Sequence, residues 1–347
     1  MVGELKEGNA MKHDMQAWLA GLFGPGPKKP LPILSFPGAQ LLGVCVRSLV
    51  TSAQLQADCM LAVAKRTPAA AAVSPMDLSV EAECFGAPVR FADDEVPTIP
   101  EAIVQDEEDA RRLPVPAVGA GRTGLCLEAI SKAAALPLDR PVLAGVIGPY
   151  SLAGRLMGVT DILYACFDEP ETVHLVLEKA TRFLKDYMLA FRQAGANGII
   201  LAEPLAGLLS PAMGGEFSCE YVAQLIADVQ SEDFPVIYHN CGDATIPMAP
   251  QIASIGAKAY HFGNAIRLAD ILPLMPKDAL VMGNVDPAGQ FSQGTPASIE
   301  ADTRRVLQEC SGFDNFLLSS GCDIPPQASW DNIDAFFQAS QAFYLSK

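Results

Sequence analysis

Three residues whose side chains bind soft metal ions follow short apolar runs of the chain. His239 and Cys241 stand two positions apart where the run 235–239 ends, and Cys322 follows the run 315–319. Residues two apart in an extended strand point to the same side, so His239 and Cys241 can grip one ion together. Imidazole nitrogen and thiolate sulfur are donors that zinc prefers, and Cys322 would supply a third. Three protein ligands leave one tetrahedral position open, which is typical of a catalytic rather than a structural zinc site.

The open position suits a substrate thiol. A free thiol with a pKa near 8.5 is only a few per cent thiolate at neutral pH, whereas a metal-bound thiol is largely deprotonated. Two cysteine thiolates neutralise the charge of Zn²⁺, so a third, substrate sulfur stays electron-rich and can attack a methyl group. An all-histidine site would instead favour hydroxide and hydrolysis. The donor set therefore predicts thiol activation.

Eight short apolar runs are predicted to be the strands that position these residues. The runs are 31–36, 69–75, Val142–Ile147, Gly198–Ala202, 235–239, Ala259–Phe262, 279–283 and 315–319. From about residue 141 onward they alternate with helical patterns at the spacing of βα units. Five of the helix candidates are 170–194, 216–228, 246–255, 297–309 and 332–344. The runs are nearly all apolar, as expected for parallel strands covered on both faces.

Eight parallel strands in sequence predict an α/β fold, a (β/α)₈ TIM barrel in which catalytic residues gather at the C-terminal strand ends. A doubly wound open sheet remains an alternative, because periodicity does not separate the two. We expect one barrel domain over residues 1–347, with an N-terminal extension. The acidic stretch 76–113 fits the βα rhythm badly and is predicted to be a small insertion, a hairpin and a helix over one end of the barrel.

The charge and the cysteine content restrict the class of protein. The chain of 347 residues has 24 basic and 40 acidic side chains, a net charge of −16, which repels phosphate backbones and anionic lipids. Neither nucleic acid nor a membrane is expected as a partner. Residues 1–18 mix charges without an apolar core, so no signal peptide is predicted. The nine cysteines are therefore interpreted as thiols in a reducing cytoplasm.

The motifs around these residues resemble the uroporphyrinogen decarboxylase superfamily. They are His239-x-Cys241 with Gly321-Cys322, MDLSVEAECFG at 76–86, GPYSLA at 148–153 and GNVDP at 283–287. The resemblance covers roughly residues 31–343, and within the superfamily the chain is similar to the methylcobamide:coenzyme M methyltransferase branch. It implies a (β/α)₈ barrel, zinc bound by His239, Cys241 and Cys322, and methyl transfer between a corrinoid and a thiol such as coenzyme M.

Two other functions stay open. The decarboxylase branch carries an arginine-rich segment after its first strand, whereas residues 35–42 of this chain read SFPGAQLL, so a clamp for an acidic tetrapyrrole is missing. A non-catalytic, zinc-bearing interaction or sensing protein is the other alternative, although such a site would be expected to close with four protein ligands. The chain also lacks D-x-H-x-x-G, the mark of corrinoid carriers. We therefore expect the methyl-corrinoid to arrive on a separate protein or as free methylcobalamin.

Five further residues at predicted strand ends are candidate site residues. Glu203 is predicted to be catalytic, as a replaceable fourth zinc ligand or a hydrogen-bond partner of His239, and a solvated carboxylate is the alternative. His261 is the second catalytic candidate, for contact with the corrinoid or proton transfer, and a hydrogen-bonded structural histidine is the alternative. Tyr150, Asn284 and Asp286 are candidates for binding the corrinoid or lining the substrate mouth, although turn-forming roles are equally compatible with Asn284 and Asp286.

Overall fold

Seven parallel strands form a single curled sheet in the computed structural model, which describes residues 13–345. The strands are β1 Ala72–Val73, β2 Val142–Ile147, β3 Gly198–Ala202, β4 Val236–Asn240, β5 Ala259–Phe262, β6 Leu280–Val285 and β7 Phe316–Ser320. Each strand pairs with the next one along the chain. A doubly wound sheet would reverse its strand order partway, so that alternative is excluded.

Helices connect and cover the strands. They are α1 Met15–Ala20, α2 Gly38–Leu42, α3 Val46–Val50, α4 Ala53–Arg66, α5 Val80–Cys84, α6 Glu107–Arg112, α7 Arg122–Ala134, α8 Pro149–Met157, α9 Val159–Asp168, α10 Pro170–Gln193, α11 Pro211–Gly214, α12 Glu220–Val229, α13 Ala249–Ser254, α14 Leu268–Ile271, α15 Pro296–Cys310 and α16 Trp330–Leu345. The five predicted helices correspond to α10, α12, α13, α15 and α16, with ends that differ by a few residues. In the part of the chain from 13 to 345, none of the helices has the length and apolar composition needed to cross a bilayer.

The prediction of a regular strand at residues 31–36 is wrong. This segment has no strand ladder, because Pro30, Pro32 and Pro37 lack the N–H groups that a ladder requires. It nevertheless contacts both edges of the sheet. Leu31 N–H donates to Leu318 of β7 at 3.0 Å, and the Pro30 carbonyl accepts from Ala70, just before β1, at 2.9 Å. The predicted strand 69–75 is also shorter, since only Ala72 and Val73 pair regularly.

The sheet is buried on both faces, which explains its continuous apolar runs. One cluster joins alternate strand residues to Leu31 and Ile33, including Ile200, Ile237 and Leu317. The intervening strand residues belong to a second, larger cluster packed against the helices. Trp18 of α1 packs against the first cluster and donates from Nε1 to the Ala70 carbonyl at 3.0 Å. Because Ala70 precedes β1, α1 covers the N-terminal ends of the strands, and the C-terminal ends lie on the opposite side.

Residues 76–113 lie between β1 and β2 and contain α5, an isolated antiparallel bridge between Arg90 and Thr98, and α6. Buried Arg122 of α7 forms ion pairs with Asp77 and Glu83, which fasten the start of this stretch. Its end is fastened by α10, where the Lys179 ammonium donates to the carbonyls that close α6. The stretch is thus attached to the helices around the sheet, and its status as an insertion remains a prediction.

Candidate metal centre

The side chains proposed for the site project from the inner face of the sheet at its C-terminal edge. Along a strand every second residue points to the same side. Ile237 and Ala259 belong to the first apolar cluster, which contains Leu31 and Ile33. His239 and His261 lie two residues further along the same strands and therefore face the same side of the sheet. The parallel register places His239 directly beside His261 and beside Ala202 of β3. Strand parity and register thus bring the two imidazoles together.

His239, Cys241 and Cys322 form one cluster whose ligand atoms all lie within 4.8 Å of one another. His239 Nε2 and Cys322 Sγ are 3.4 Å apart. Tetrahedral zinc, with bonds of about 2.0–2.1 Å to nitrogen and about 2.3 Å to sulfur, separates such a pair by about 3.6 Å. His239 is 2% exposed, while both cysteines are half-buried. The donor types and the spacing therefore fit zinc with a side open to a further ligand.

The two thiols differ in their tendency to ionise. The pKa of Cys241 is lowered because Cys322 and His239 hydrogen-bond to its sulfur, against the opposing effect of burial. The pKa of Cys322 is raised well above its ordinary value by its hydrogen bond to Cys241 and by burial. Without a counter-charge one thiolate therefore forms more readily than two. A divalent cation supplies that charge and favours both thiolates.

Close backbone contacts hold Cys241 in place. A Cβ added to Gly263 would lie 2.5 Å from the Cα of Cys241, so the loops after β4 and β5 touch through this glycine. On the other side, a Cβ added to Gly207 would lie 2.4 Å from the Cα of Gly242. The Asn240 side chain accepts from Gly242 N–H at 3.0 Å and closes the turn. The loop bearing Cys241 is therefore packed between the loops that follow β3 and β5.

A chain of short contacts extends behind His239. Its Nδ1 lies 2.7 Å from Nδ1 of His261, and Nε2 of His261 lies 2.7 Å from the Ser319 hydroxyl. Ser319 Oγ in turn lies 2.7 Å from the Leu31 carbonyl oxygen. His261 and Ser319 are 0% exposed, and burial lowers the pKa of His261 well below its ordinary value. His261 therefore lies behind a proposed ligand, buried away from solvent.

Glu203 follows β3, and its fully buried side chain lies against the start of α8. Its carboxylate accepts from the backbone N–H groups of Tyr150 at 2.8 Å and Ser151 at 3.0 Å, and from the Ser151 hydroxyl at 2.8 Å. Burial raises the pKa of Glu203 to about 7, although these three donors oppose the shift. The carboxylate thus caps a helix N-terminus, where negative charge is favourable. It is not part of the His239–Cys241–Cys322 cluster, and a catalytic role for it remains a prediction.

The three candidates for cofactor binding take part in the internal hydrogen bonding of the fold. The Tyr150 hydroxyl lies 3.7 Å from the Cys166 sulfur in the core. Asn284 donates to the carbonyls of Gly263, at 3.0 Å, and Ile266, at 2.9 Å, and so supports the loop after β5. Asp286 accepts from the N–H groups of the turn that follows it, at residues 288 and 289. Contact with a corrinoid remains a prediction for all three.

Ser319 is the site residue that sequence reasoning missed. The strand reads Phe316-Leu-Leu-Ser-Ser, so two hydroxyl residues end an otherwise apolar run. Both serines are fully buried, and a buried hydroxyl requires a partner. That interruption was the available signal.

Comparisons with known proteins agree with the resemblance seen in the motifs. The profile of a family described as uroporphyrinogen decarboxylase matches residues 34–343. A methylcobamide:CoM methyltransferase of Methanosarcina acetivorans is 27% identical over 276 residues, 78% of each chain. A uroporphyrinogen decarboxylase of Alcanivorax borkumensis is 24% identical over 302 residues, 84% of this chain and 84% of the relative.

Among solved structures, a methyltransferase from Methanosarcina mazei superposes with a TM-score of 0.84 at 23% identity, covering 95% of this chain and 99% of that one. A B12-independent methionine synthase from a Shewanella species superposes with a TM-score of 0.58 at 12% identity, covering 94% of this chain and 97% of that one. At these identities the likeness concerns the fold, which is that of a TIM-barrel-like α/β protein.

Proposed function

The chain belongs to the uroporphyrinogen decarboxylase family, and from that premise we propose that it is a zinc-dependent methyltransferase. In this proposal His239, Cys241 and Cys322 bind the metal, and a methyl group moves between a corrinoid and a small thiol such as coenzyme M. The observation that carries it is the cluster of one imidazole and two thiols at the C-terminal edge of the sheet. The methylcobamide:CoM methyltransferase that is 27% identical supports the same reaction class.

The residues of the chain prepare the reaction by charge. When bound, zinc would lower the pKa of a substrate thiol and hold it as a thiolate. His239 contributes a neutral nitrogen, and Cys241 and Cys322 contribute two negative charges that balance the ion. The substrate sulfur would then carry the excess negative charge and attack the methyl carbon, so that a C–S bond forms while the Co–C bond of the corrinoid breaks and its electron pair stays on cobalt.

The decarboxylase activity of other relatives is the second candidate, because the similarity to them is of comparable size. Its substrate carries many carboxylates, which a protein holds with cationic side chains. Residues 31–42 contain neither arginine nor lysine, although they lead from the sheet edge into α2. A paired-thiol metal cluster has no evident use in that reaction. These observations favour methyl transfer.

Several finer expectations belong to the same proposal. The hydrogen bonds of Leu31 with β7 and of the adjacent Pro30 with Ala70, just before β1, support a closed (β/α)₈ barrel in which residues 31–36 serve as an irregular eighth strand. A separate corrinoid protein or free methylcobalamin would deliver the methyl group. A cytoplasmic location and the lack of a nucleic-acid or membrane partner remain predictions from composition and charge.

The test combines metal analysis with a spectral assay. The purified protein is expected to contain about one zinc per chain and to demethylate methylcobalamin when coenzyme M, homocysteine or another small thiol is added. Cys241→Ser should lose both properties, whereas Cys45→Ser, a half-buried thiol at the start of α3, should retain them. Full zinc content and full rate in Cys241→Ser would overturn the proposal. Zinc without turnover, even with added corrinoid proteins, would favour a non-catalytic zinc-bearing protein.

A further inference from the structure

We propose that His261 and Ser319 are positioning residues that hold His239 in the tautomer whose Nε2 is free to bind metal. The metal-binding role of His239 rests on the proposed function, whereas the hydrogen bonds among His239, His261 and Ser319 do not depend on it. A neutral imidazole carries its proton on either nitrogen, and only the unprotonated nitrogen can bind a metal ion. The partner of the other nitrogen decides which form is present.

The direction of each hydrogen bond follows from the last group in the series, the Leu31 carbonyl oxygen. The Leu31 carbonyl can only accept, so the Ser319 hydroxyl donates to it at 2.7 Å. That hydroxyl has a single hydrogen, so toward His261 its oxygen must accept, and Nε2 of His261 carries the proton. In a neutral His261, Nδ1 then bears a lone pair.

The same argument determines the tautomer of His239. Its Nδ1 lies 2.7 Å from the acceptor Nδ1 of His261, so Nδ1 of His239 must carry the proton. Nε2 is left with a lone pair, and this is the nitrogen 3.4 Å from Cys322 Sγ. If His261 were charged, its Nδ1 would donate to Nδ1 of His239, and the proton of His239 would move to Nε2. However, His261 is 0% exposed and contacts no carboxylate among the hydrogen bonds and ion pairs described for residues 13–345. Burial without a counter-charge disfavours that form.

The relay of His239, His261, Ser319 and the Leu31 carbonyl has two physical consequences. Many metal-binding histidines donate to a carboxylate, which adds negative charge behind the ligand. Here the acceptor is a neutral imidazole, so the charge at the metal is set by the two cysteines and the substrate thiol. The relay also ends on the segment 31–36, which has no strand ladder. The tautomer of His239 is thereby linked to the position of that segment.

Ser320 provides a matched control. Its hydroxyl accepts from Ile33 N–H at 3.0 Å, so it fastens the same segment to β7 from the neighbouring position. Ser320 is buried like Ser319, and although its backbone hydrogen-bonds to His261, its side chain contacts Ile33 and not the relay, so Ser320→Ala leaves the relay groups in place. If Ser319 acted only by seating residues 31–36, removing either hydroxyl would have the same effect on the site.

The first experiment reads the tautomers in the metal-free protein by long-range ¹⁵N–¹H correlation of the imidazoles. The chain has only four histidines, so the signals are assignable by substitution. We expect His239 protonated at Nδ1 and His261 at Nε2. Ser319→Ala should leave both as mixtures of tautomers, whereas Ser320→Ala should not change them. Protonation of His239 at Nε2 in the wild-type protein would overturn the inference.

The second experiment measures zinc affinity by chelator competition. Ser319→Ala and His261→Leu should weaken binding about 10- to 100-fold, the effect usual for groups that orient a metal ligand. Ser320→Ala should change it less than about 3-fold. His261→Gln should recover most of the affinity, because an amide can accept from His239 and donate to Ser319. Equal losses in Ser319→Ala and Ser320→Ala would reduce Ser319 to a structural role and refute the relay.

The two proposals fail in different ways. A wild-type protein that binds no zinc would refute the proposed function, while the tautomer measurement, made without metal, would still decide the relay. Zinc binding without methyl transfer would likewise leave the relay standing. If His261→Leu does not fold, the wild-type tautomers and Ser319→Ala still provide the test.

Discussion

Replacing Gly263 by alanine should disable the metal centre through the backbone of Cys241. The new Cβ would lie 2.5 Å from the Cα, 2.6 Å from the Cβ and 2.9 Å from the carbonyl oxygen of Cys241. Ordinary contacts begin near 3.4 Å, so the two loops must separate by about 0.9 Å. Backbone atoms, rather than a flexible side-chain end, stand in the way.

A shift of this size exceeds what a metal site tolerates. Ligand distances hold to about ±0.2 Å, so a sulfur displaced by about 0.9 Å no longer reaches the ion held by His239 and Cys322. We expect zinc affinity to fall about 100-fold, at the upper end of the losses seen when support for a ligand is removed. Overpacking should also lower the free energy of unfolding by about 1–3 kcal/mol.

The assay is chelator competition for zinc, with circular dichroism and urea unfolding on the same preparations. Gly312→Ala is the control, because an added Cβ there meets nothing within 4 Å. It should leave zinc affinity unchanged. A Gly263→Ala protein that is folded and binds zinc as tightly as the wild type would show that the loops after β4 and β5 do not hold Cys241 in place.

Two further predictions concern buried charges near α5 and α7. Burial raises the pKa of Glu81 from 4.5 to about 7, and its Oε2 has no hydrogen-bond partner among the described residues. The folded protein thus binds this proton more tightly than the unfolded chain, and stability is lost as the pH rises from about 4.5 to 7. Glu81→Gln should remove about 2.5 kcal/mol of the difference in the free energy of unfolding between pH 5 and pH 8, measured by urea unfolding, and an unchanged difference would contradict the assignment. Arg122→Met should cost about 3–5 kcal/mol in the same assay, because it leaves the buried Asp77 carboxylate unpaired. The exposed pair of Arg112 and Glu108 is the control, where Arg112→Met should cost less than about 1 kcal/mol, and equal costs would show that burial of Asp77 is not decisive.

The sequence predicted those parts of the fold that depend on local periodicity. Apolar runs and helical patterns located all seven observed strands and the five helices predicted after residue 141 to within a few residues. The segment 31–36 is apolar enough to read as a strand, but its prolines remove ladder donors. The segment is held instead by the side chains of Ser319 and Ser320 and by a few backbone hydrogen bonds. Apolar content signalled that the segment is buried, while the prolines should have signalled its irregular backbone.

The candidate site also has a part that the sequence predicted and a part that it did not. Donor chemistry is a property of single residues, and the H-x-C spacing places His239 and Cys241 on one side of a strand whatever the rest of the chain does. The strand-end positions of these residues and Cys322 then predicted the cluster that the structure forms. The same reasoning predicted a catalytic role for Glu203, which stays a prediction, and it did not foresee that the Glu203 carboxylate accepts from the N–H groups at the start of α8.

The sequence alone therefore determined which atoms could bind a metal and on which strands they lie, because donor type and strand periodicity are local. Which of these atoms meet, and which groups support them, depends on the tertiary structure. Cys322 reaches His239 across 83 residues of chain, and the Ser319 hydroxyl reaches Leu31 across 288. Such contacts depend on the register of neighbouring strands and on the position at which residues 31–36 join the sheet edges. Local sequence patterns determine neither of these.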